Sequence, residues 1–367
     1  MKPVYLDYNA TAPIRPEIIR LMTDVMAQPG NASSVHAAGR VARKYVEDAR
    51  EQVAALVGVK PASVIFNSGA TEGNNTVLNA YTGQRVLISA IEHPSVLNIL
   101  PDAEKIPVTR DGVVDLTALR AMIAQGPKPA LISVMMVNSE TGVIQPVRDI
   151  AAIAHEAGAL FHTDAVQAPG RIPLSLADIG ADYLTLSAHK MAGSQGVGAL
   201  IVREGLTPPR FMKGGSQETN HRAGTQNVAG IAGMGLAARL AAEHLPHYAD
   251  IERLRDMMEA EIRAIAKDAV IFGANAPRVG NTSDISVPGV EAQTQLMALD
   301  LAGFCVSSGS ACSSGSFKPS HVLLAMTGDE GLARSALRIS LGYATTAADI
   351  TRFLQAWEKM YRNFKRG

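Results

Sequence analysis

Cysteine is nearly absent: the 367-residue chain has two, Cys305 and Cys312. Two thiols exclude a secreted disulfide framework and cannot by themselves close a tetrahedral metal site. A reducing, cytoplasmic setting is therefore expected. Aromatic residues are also scarce, at 5%, which disfavours stacking platforms for single-stranded nucleic acid. No excess of one charge sign exists, because 34 Lys and Arg balance 34 Asp and Glu. A broad basic surface for nucleic acid is thus not expected. Long apolar runs are missing too. Residues 228–238 and 130–137 are the longest, and both fall short of the roughly 20 residues a bilayer span requires. The N-terminus reaches Asp7 before any apolar segment develops, so no signal peptide is visible.

What remains suits an ordinary folded globular protein. Hydrophobic residues make up 47% and charged residues 19%, enough for a sizeable core. The length points to two subdomains. Short apolar runs alternate with helical patterns over the first two-thirds, which implies βαβ units and a mainly parallel sheet. Residues 43–57 place Val46, Ala49, Val53 and Leu56 on one face, with Gly58 as the stop. Residues 147–157 place Ile150, Ile153, Ala154 and Ala157 likewise, ahead of Gly158. A long helical stretch begins near Asn227 and runs, interrupted around Pro246, towards Ala266. The last third has strand patterns at 283–287 and 337–341, a helix at 292–301, and a final helix from Thr346 with Asp349 in the capping-box position. The expected division is a large domain, 15–250, and a smaller α/β domain built from 1–14 and 251–367.

Five strand candidates end in unusual polar residues. Residues 64–66 lead into Asn67, Ser68, Gly69, Ala70, Thr71 and Glu72, and residues 86–89 into Glu92, His93 and Pro94. Residues 131–137 lead into Asn138, Ser139, Glu140, Thr141 and Gly142. Residues 160–163 lead into Asp164 and Gln167, and residues 183–186 into Ser187, Ala188, His189 and Lys190. Ligands of open α/β sheets bind at the carboxyl edge of the parallel strands, so all five groups should converge there. The segment 67–71 precedes a helix, where backbone N–H groups favour an anion. Thr71 and Ser187 can add hydroxyl donors. Neither a Walker loop nor a G-x-G-x-x-G fingerprint is present. A lysine at a buried strand end can lose its proton and form a Schiff base. An aspartate at a neighbouring end can pair with a pyridinium nitrogen. Phosphate anchor, Lys190 and Asp164 together match the needs of pyridoxal phosphate. His93 is placed to stack on that ring or relay protons; His36, His155 and His162 have weaker claims, and His155 should lie at the surface. Cys312 stands in a Ser/Gly-rich stretch, 307–316, that lacks bulky apolar groups and should be mobile. An exposed thiol there points to reactivity, whereas Cys305, between Phe304 and Val306, should be core.

These segments resemble the cysteine desulfurase family, the NifS/IscS-like branch of the class V aminotransferases of pyridoxal-phosphate fold type I. The motifs are 5–11 (YLDYNAT), 30–36 (GNASSVH), 68–72 (SGATE), 92–93 (EH), 138–142 (NSETG), 162–167 (HTDAVQ) and 187–190 (SAHK). They continue with 214–218 (GGSQE), 222–225 (RAGT), 307–312 (SSGSAC) and 338–342 (RISLG). The resemblance implies that Lys190 carries the Schiff base, Asp164 keeps the pyridine nitrogen protonated, and Gln167 bonds the ring hydroxyl. It implies that His93 stacks on the ring and moves protons, and that Thr71, Ser187 and His189 bind the phosphate beside Ala70 and Ala188. Thr225 would reach the phosphate of the opposite subunit in a homodimer. Asn138 would contact cofactor and substrate, and Arg338 the substrate α-carboxylate. Cys312, on a mobile loop spanning about 305–318, would take sulfur from L-cysteine as a persulfide, leaving alanine. Nine extended residues span roughly 30 Å, so reach is no obstacle. An iron–sulfur scaffold or another acceptor protein would receive the sulfur. Whether the Cys312 persulfide also ligates a transient iron–sulfur cluster stays open.

The chain departs from the family at three places: Ser194 and Gln195 replace Pro-Lys, Ala12 follows Thr11 in place of threonine, and Ala32 replaces proline. None removes a catalytic group. Two other readings stand beside the desulfurase. One is another class V enzyme, a selenocysteine lyase or an aminotransferase; the other is a non-catalytic sulfur-carrier or scaffold protein. Cys312 argues against simple transamination, and Lys190, Asp164 and His93 argue against a scaffold.

Overall fold

A computed structural model describes residues 3–308 and 318–366. Twelve strands occur among them: β1 (Val4–Tyr5), β2 (Val64–Asn67), β3 (Val86–Ser89), β4 (Glu104–Ile106), β5 (Leu131–Ser133), β6 (Leu160–Asp164), β7 (Tyr183–Ser187), β8 (Gly198–Val202), β9 (Val270–Ile271), β10 (Thr282–Ser286), β11 (Phe304–Cys305) and β12 (Ala336–Ser340). Seven form the main sheet, in the order β2-β8-β7-β6-β5-β3-β4. The pairs β3-β4, β3-β5, β5-β6 and β6-β7 are parallel. β8 runs against both of its neighbours, so β2 points the same way as β7. All five polar strand ends therefore meet at one edge, with β8 as the single reversed strand. β5 stops at Ser133, but Val134 N–H and Met136 N–H still donate to the carbonyls of His162 and Asp164, at 3.1 and 2.9 Å, before the Val137–Ile144 bridge closes the following turn.

Both faces of this sheet are buried, and its strands are accordingly apolar throughout. Val64, Phe66, Leu87, Ile132, Leu184, Leu186, Ala199 and Ile201 point into one core. Their alternates Ile65, Val86, Ile88, Leu131, Tyr183, Leu200 and Val202 point into the other, as the two-residue period of a strand dictates. Helices α1 (Pro16–Met26), α2 (Ala37–Val57) and Val228–His244 cover the first face. α3 (Ala70–Asn79) and α4 (Pro94–Leu97) cover the second. α2 starts six residues earlier than the periodicity predicts, because His36 caps it through Nδ1. Gly73 lets α3 sit close to the sheet, since a Cβ there would stand 2.9 Å from Thr185 Cγ2.

A separate core joins the two ends of the chain. Val4 and Leu6 pack with Ile285, Leu299, Leu337, Ile339, Phe353 and Trp357. β12, β10 and β9 make an antiparallel sheet there, and β1 pairs with β11. β10 and β12 each lie one residue before the expected spans, and helix Ala292–Leu301 lies where the pattern put it. The last helix, Ala347–Arg366, opens on the expected box: Thr346 N–H donates to Asp349 at 3.0 Å, and Asp349 N–H donates to Thr346 Oγ1 at 3.2 Å. Cys305 is only half-buried, unlike its buried neighbour Phe304. A two-residue strand paired on one side alternates its side chains without covering both. No helix among the described residues is long and apolar enough to cross a membrane.

Candidate active site

The anion end of the site is built by glycine. Asn67 closes β2, and its Oδ1 accepts from Gly69 N–H at 3.0 Å. Gly69 adopts φ +146° and precedes α3 with no side-chain cap on the helix, and no atom lies within 4 Å of where its Cβ would be. First-turn N–H groups of a helix without such a cap suit an anion. Thr71 is exposed and Ala70 half-buried at this end. Glu72 anchors a distant segment to the same turn: it accepts from Arg222 Nε at 2.9 Å, from Arg222 Nη2 at 3.1 Å and from Ser68 N–H at 2.8 Å. Thr225 follows three residues later and is exposed.

Lys190 lies in a 3-10 turn, Ala188–Met191, directly after β7. That turn ends at Ala192, which holds φ +61° without being glycine. Such a left-handed residue costs roughly 1–2 kcal/mol and is tolerated where the surroundings fix it. Here Arg15 N–H donates to the Ala192 carbonyl at 3.1 Å, and Ala12 N–H to the His189 carbonyl at 2.9 Å. The Lys190 amine is half-buried, donates to the carbonyls of Asn9 and Ala10, and borders a cavity of about 260 Å³ that Arg171 and Tyr248 also line. The N–H of Ala188 is spent on the Val197 carbonyl at 3.0 Å. His189 Nδ1 meets Thr11 Oγ1 at 3.1 Å; burial, with Lys190 beside it, pushes its imidazole down to about 4.

Asp164 ends β6, one strand from Lys190. Its carboxylate is buried; Oδ2 accepts from Asn74 Nδ2 at 2.8 Å and Oδ1 from Val166 N–H at 3.0 Å. Gln167, three residues on, donates to the same Asn9 carbonyl that Lys190 uses and accepts from Arg171. Asn9 is thus a hub between chain ends. Its Oδ1 accepts from Arg171 at 2.9 Å and Asn281 at 3.0 Å, and its Nδ2 donates to Ser139 and Thr282. No local pattern marks Asn9, because its partners lie more than a hundred residues away.

His93 caps α4: its Nδ1 accepts from Ser95 N–H at 3.1 Å and lies 2.8 Å from Ser95 Oγ. Burial lowers its pKa, Asp164 opposes that fall, and Lys190 and His321 add to it. Asn138 is buried with both ends of its amide engaged. Oδ1 accepts from Glu140 N–H and Thr141 N–H, and Nδ2 faces the Ile91 carbonyl and Met135 Sδ. It holds the 138–142 turn together. Arg338 donates to Asp7 Oδ1 at 2.8 Å and the Ser139 carbonyl at 3.2 Å, while its buried Nε has no partner among the described residues. Its backbone pairs in both directions with Ser307, so the segment leading to Cys312 departs beside it. Cys312 itself lies outside the described residues. Of the weaker histidines, His36 is a helix cap, His155 is exposed against Asp182, and His162 is buried between Ser133 and Thr185. Among the described residues no group of three or more His, Cys, Asp or Glu can hold a metal ion.

Lys190, Asp164, Gln167, His93, Ser187 and the α3 N-terminus thus share one edge of one sheet, as pyridoxal phosphate requires. Comparison with known proteins agrees. Residues 4–353 match the family model described as aminotransferase class-V. A cysteine desulfurase of Cereibacter sphaeroides is 41% identical, over 97% of this chain and 95% of its own. The chain belongs to the class V aminotransferases, in their cysteine desulfurase branch. The cysteine desulfurase IscS of Dictyoglomus turgidum is 40% identical over 99% of this chain and 96% of its own. A NifS-like protein of Rickettsia africae superposes with a TM-score of 0.92, at 36% identity, covering 98% of this chain and 99% of the other. The fold is that of NifS-like pyridoxal-phosphate enzymes of fold type I, as the motifs led one to expect.

Proposed function

We propose that this chain is a pyridoxal-phosphate-dependent cysteine desulfurase acting on L-cysteine. The observation that carries the reading is the placement of Lys190 and Asp164 at the ends of adjacent parallel strands, beside a helix N-terminus free of side-chain caps. The donor set fits the cofactor: N–H groups at α3 with Thr71, Ser187 and His189 for the phosphate, Asp164 for the ring nitrogen, Gln167 for the ring hydroxyl, His93 for the ring face. Bound there, pyridoxal phosphate supplies an electron sink that acidifies the substrate Cα–H and weakens its Cβ–S bond. Lys190 takes the Cα proton and returns it. Asp164, fixed by Asn74 and the Val166 N–H, keeps a proton on the ring nitrogen. Arg338 forks to the α-carboxylate, and Asn138 shapes the wall beside it.

Cys312 as thiolate attacks the substrate sulfur. A sulfur–sulfur bond forms, the Cβ–S bond breaks, its electron pair stays on carbon, and protonation there yields alanine. The Cys312 persulfide then passes sulfur to an acceptor such as an iron–sulfur scaffold protein; any cluster it meets is cargo. We take 15–250 as the cofactor domain, with 1–14 and 251–367 as the smaller one, in a cytoplasmic homodimer where Thr225 reaches the partner's phosphate. The exposure of Thr225 and the scarcity of cysteine support this. The test is turnover of L-cysteine by the purified protein with dithiothreitol present to reduce the persulfide and release its outer sulfur as sulfide. Alanine and sulfide released in equal amounts support the reading; pyruvate or no product refutes it. Turnover of L-selenocysteine alone would favour the lyase.

A further inference from the structure

Two buried residues, Asn74 and Ser95, connect Asp164 to His93. Asn74, on α3, is fully buried, and Ser95, on α4, is nearly so. Asn74 Nδ2 lies 2.8 Å from Asp164 Oδ2 and 2.9 Å from Ser95 Oγ. Ser95 Oγ lies 2.8 Å from His93 Nδ1, and Ser95 N–H lies 3.1 Å from the same nitrogen.

Donor and acceptor accounting fixes the direction of every proton in this chain. An amide nitrogen has two hydrogens and no acceptor, so Asn74 gives one to Asp164 and one to Ser95. Ser95 Oγ therefore accepts from Asn74, and its own hydrogen is left for His93 Nδ1. The Ser95 N–H also aims at Nδ1. A nitrogen facing two donors carries no proton of its own, so the neutral imidazole holds its proton on Nε2. Turning the Asn74 amide over would set its oxygen against the Asp164 carboxylate. The orientation seen instead leaves Asn74 Oδ1 buried with no partner among the described residues. The buried amide forgoes a bond for its oxygen while both hydrogens point along the path from Asp164 to His93.

We propose that Asn74 and Ser95 are positioning residues that lock His93 as the Nε2–H tautomer, so that it faces the reacting groups as a hydrogen-bond donor. This rests on the assignment of His93 to the cofactor face and sharpens it: His93 begins the cycle neutral, presenting an N–H and not a lone pair at Nε2. The lowered pKa of His93, with Lys190 and His321 nearby and Asp164 opposing, agrees with a neutral ring.

The test is nitrogen-15 NMR of histidine-labelled holoenzyme, with the His93 signals assigned by His93→Gln. The wild type should show Nδ1 unprotonated and Nε2 protonated. Ser95→Ala and Asn74→Leu should each shift the tautomer ratio towards Nδ1–H by about fivefold or more, the effect of losing one hydrogen bond. In both variants kcat should fall by a similar factor with KM for L-cysteine nearly unchanged, and Ser95→Thr should restore tautomer and rate. A wild-type ring protonated on Nδ1, or a ratio unmoved in both variants, overturns the proposal. The tautomer is read without turnover, so a protein inactive on L-cysteine but Nε2-protonated would sink the desulfurase reading and leave this one standing.

Discussion

Glu140 offers a quantitative check on how the site is buried. It lies in the turn after β5, is buried, and accepts from Ser320 Oγ. Burial pushes its carboxyl up to about 7 from an ordinary 4.5, against the pull of Ser320 and Arg338. The folded state thus holds this proton more tightly than the unfolded chain. The stability it contributes is fully present below about pH 4.5 and is lost as the pH rises through about 7, a loss of about 3 kcal/mol. His162 and His189 act in the opposite sense. Burial lowers both to about 4, so their contribution is present above about pH 6.5 and is lost as the pH falls through about 4. The wild-type curve mixes these trends. A difference between two proteins isolates one. Glu140→Gln keeps an oxygen for Ser320 and removes the titration. Urea unfolding of both proteins should show the variant gaining about 3 kcal/mol on the wild type between about pH 4.5 and about pH 8. A flat difference over that window would refute a Glu140 held protonated by burial.

Four further outcomes are expected. Lys190→Ala should lose the visible absorbance of covalently bound cofactor together with all turnover; an unchanged spectrum would show that the wrong lysine was chosen. Cys312→Ser should keep cofactor and substrate binding but make no persulfide, and normal sulfide release in that variant would contradict its role. Arg338→Gln should raise KM for L-cysteine by about tenfold to a hundredfold with a smaller change in kcat, the effect of one charge-assisted hydrogen bond; a pure kcat loss would place Arg338 elsewhere. Asp284 is fully buried, neither of its oxygens has a partner among the described residues, and its carboxyl is raised well above the usual range by burial and Glu140. Asp284→Asn should therefore be tolerated at neutral pH and stabilising in alkaline solution, which thermal unfolding across that range will show.

The catalytic edge was legible because apolar strands ended in residues that no core would accept. Asp164 follows such a run directly, and His93 and Lys190 each stand four residues past the end of theirs. The reversed strand β8 was not legible: Gly198–Val202 is a plain apolar run, and nothing local tells a parallel strand from an antiparallel one. Asn9, Asn74, Ser95 and Arg171 were also missed. Their bonds join residues from different elements, as between Asn74 and Asp164 or Asn9 and Arg171, and local sequence carries no trace of a partner so distant. Asn138 shows the converse. Its motif stood out, yet its side chain is spent on holding a turn. Cys305 was read as core from its apolar neighbours, but a strand of two residues at the β1–β11 pair leaves it half-covered.

The most direct measurement is mass spectrometry of the holoenzyme after brief exposure to L-cysteine. One added sulfur should appear on Cys312, with none on Cys305 and none at all in Lys190→Ala. Sulfur on Cys305, or on Cys312 when Lys190 is absent, would contradict transfer from a Lys190-activated substrate to the Cys312 thiolate.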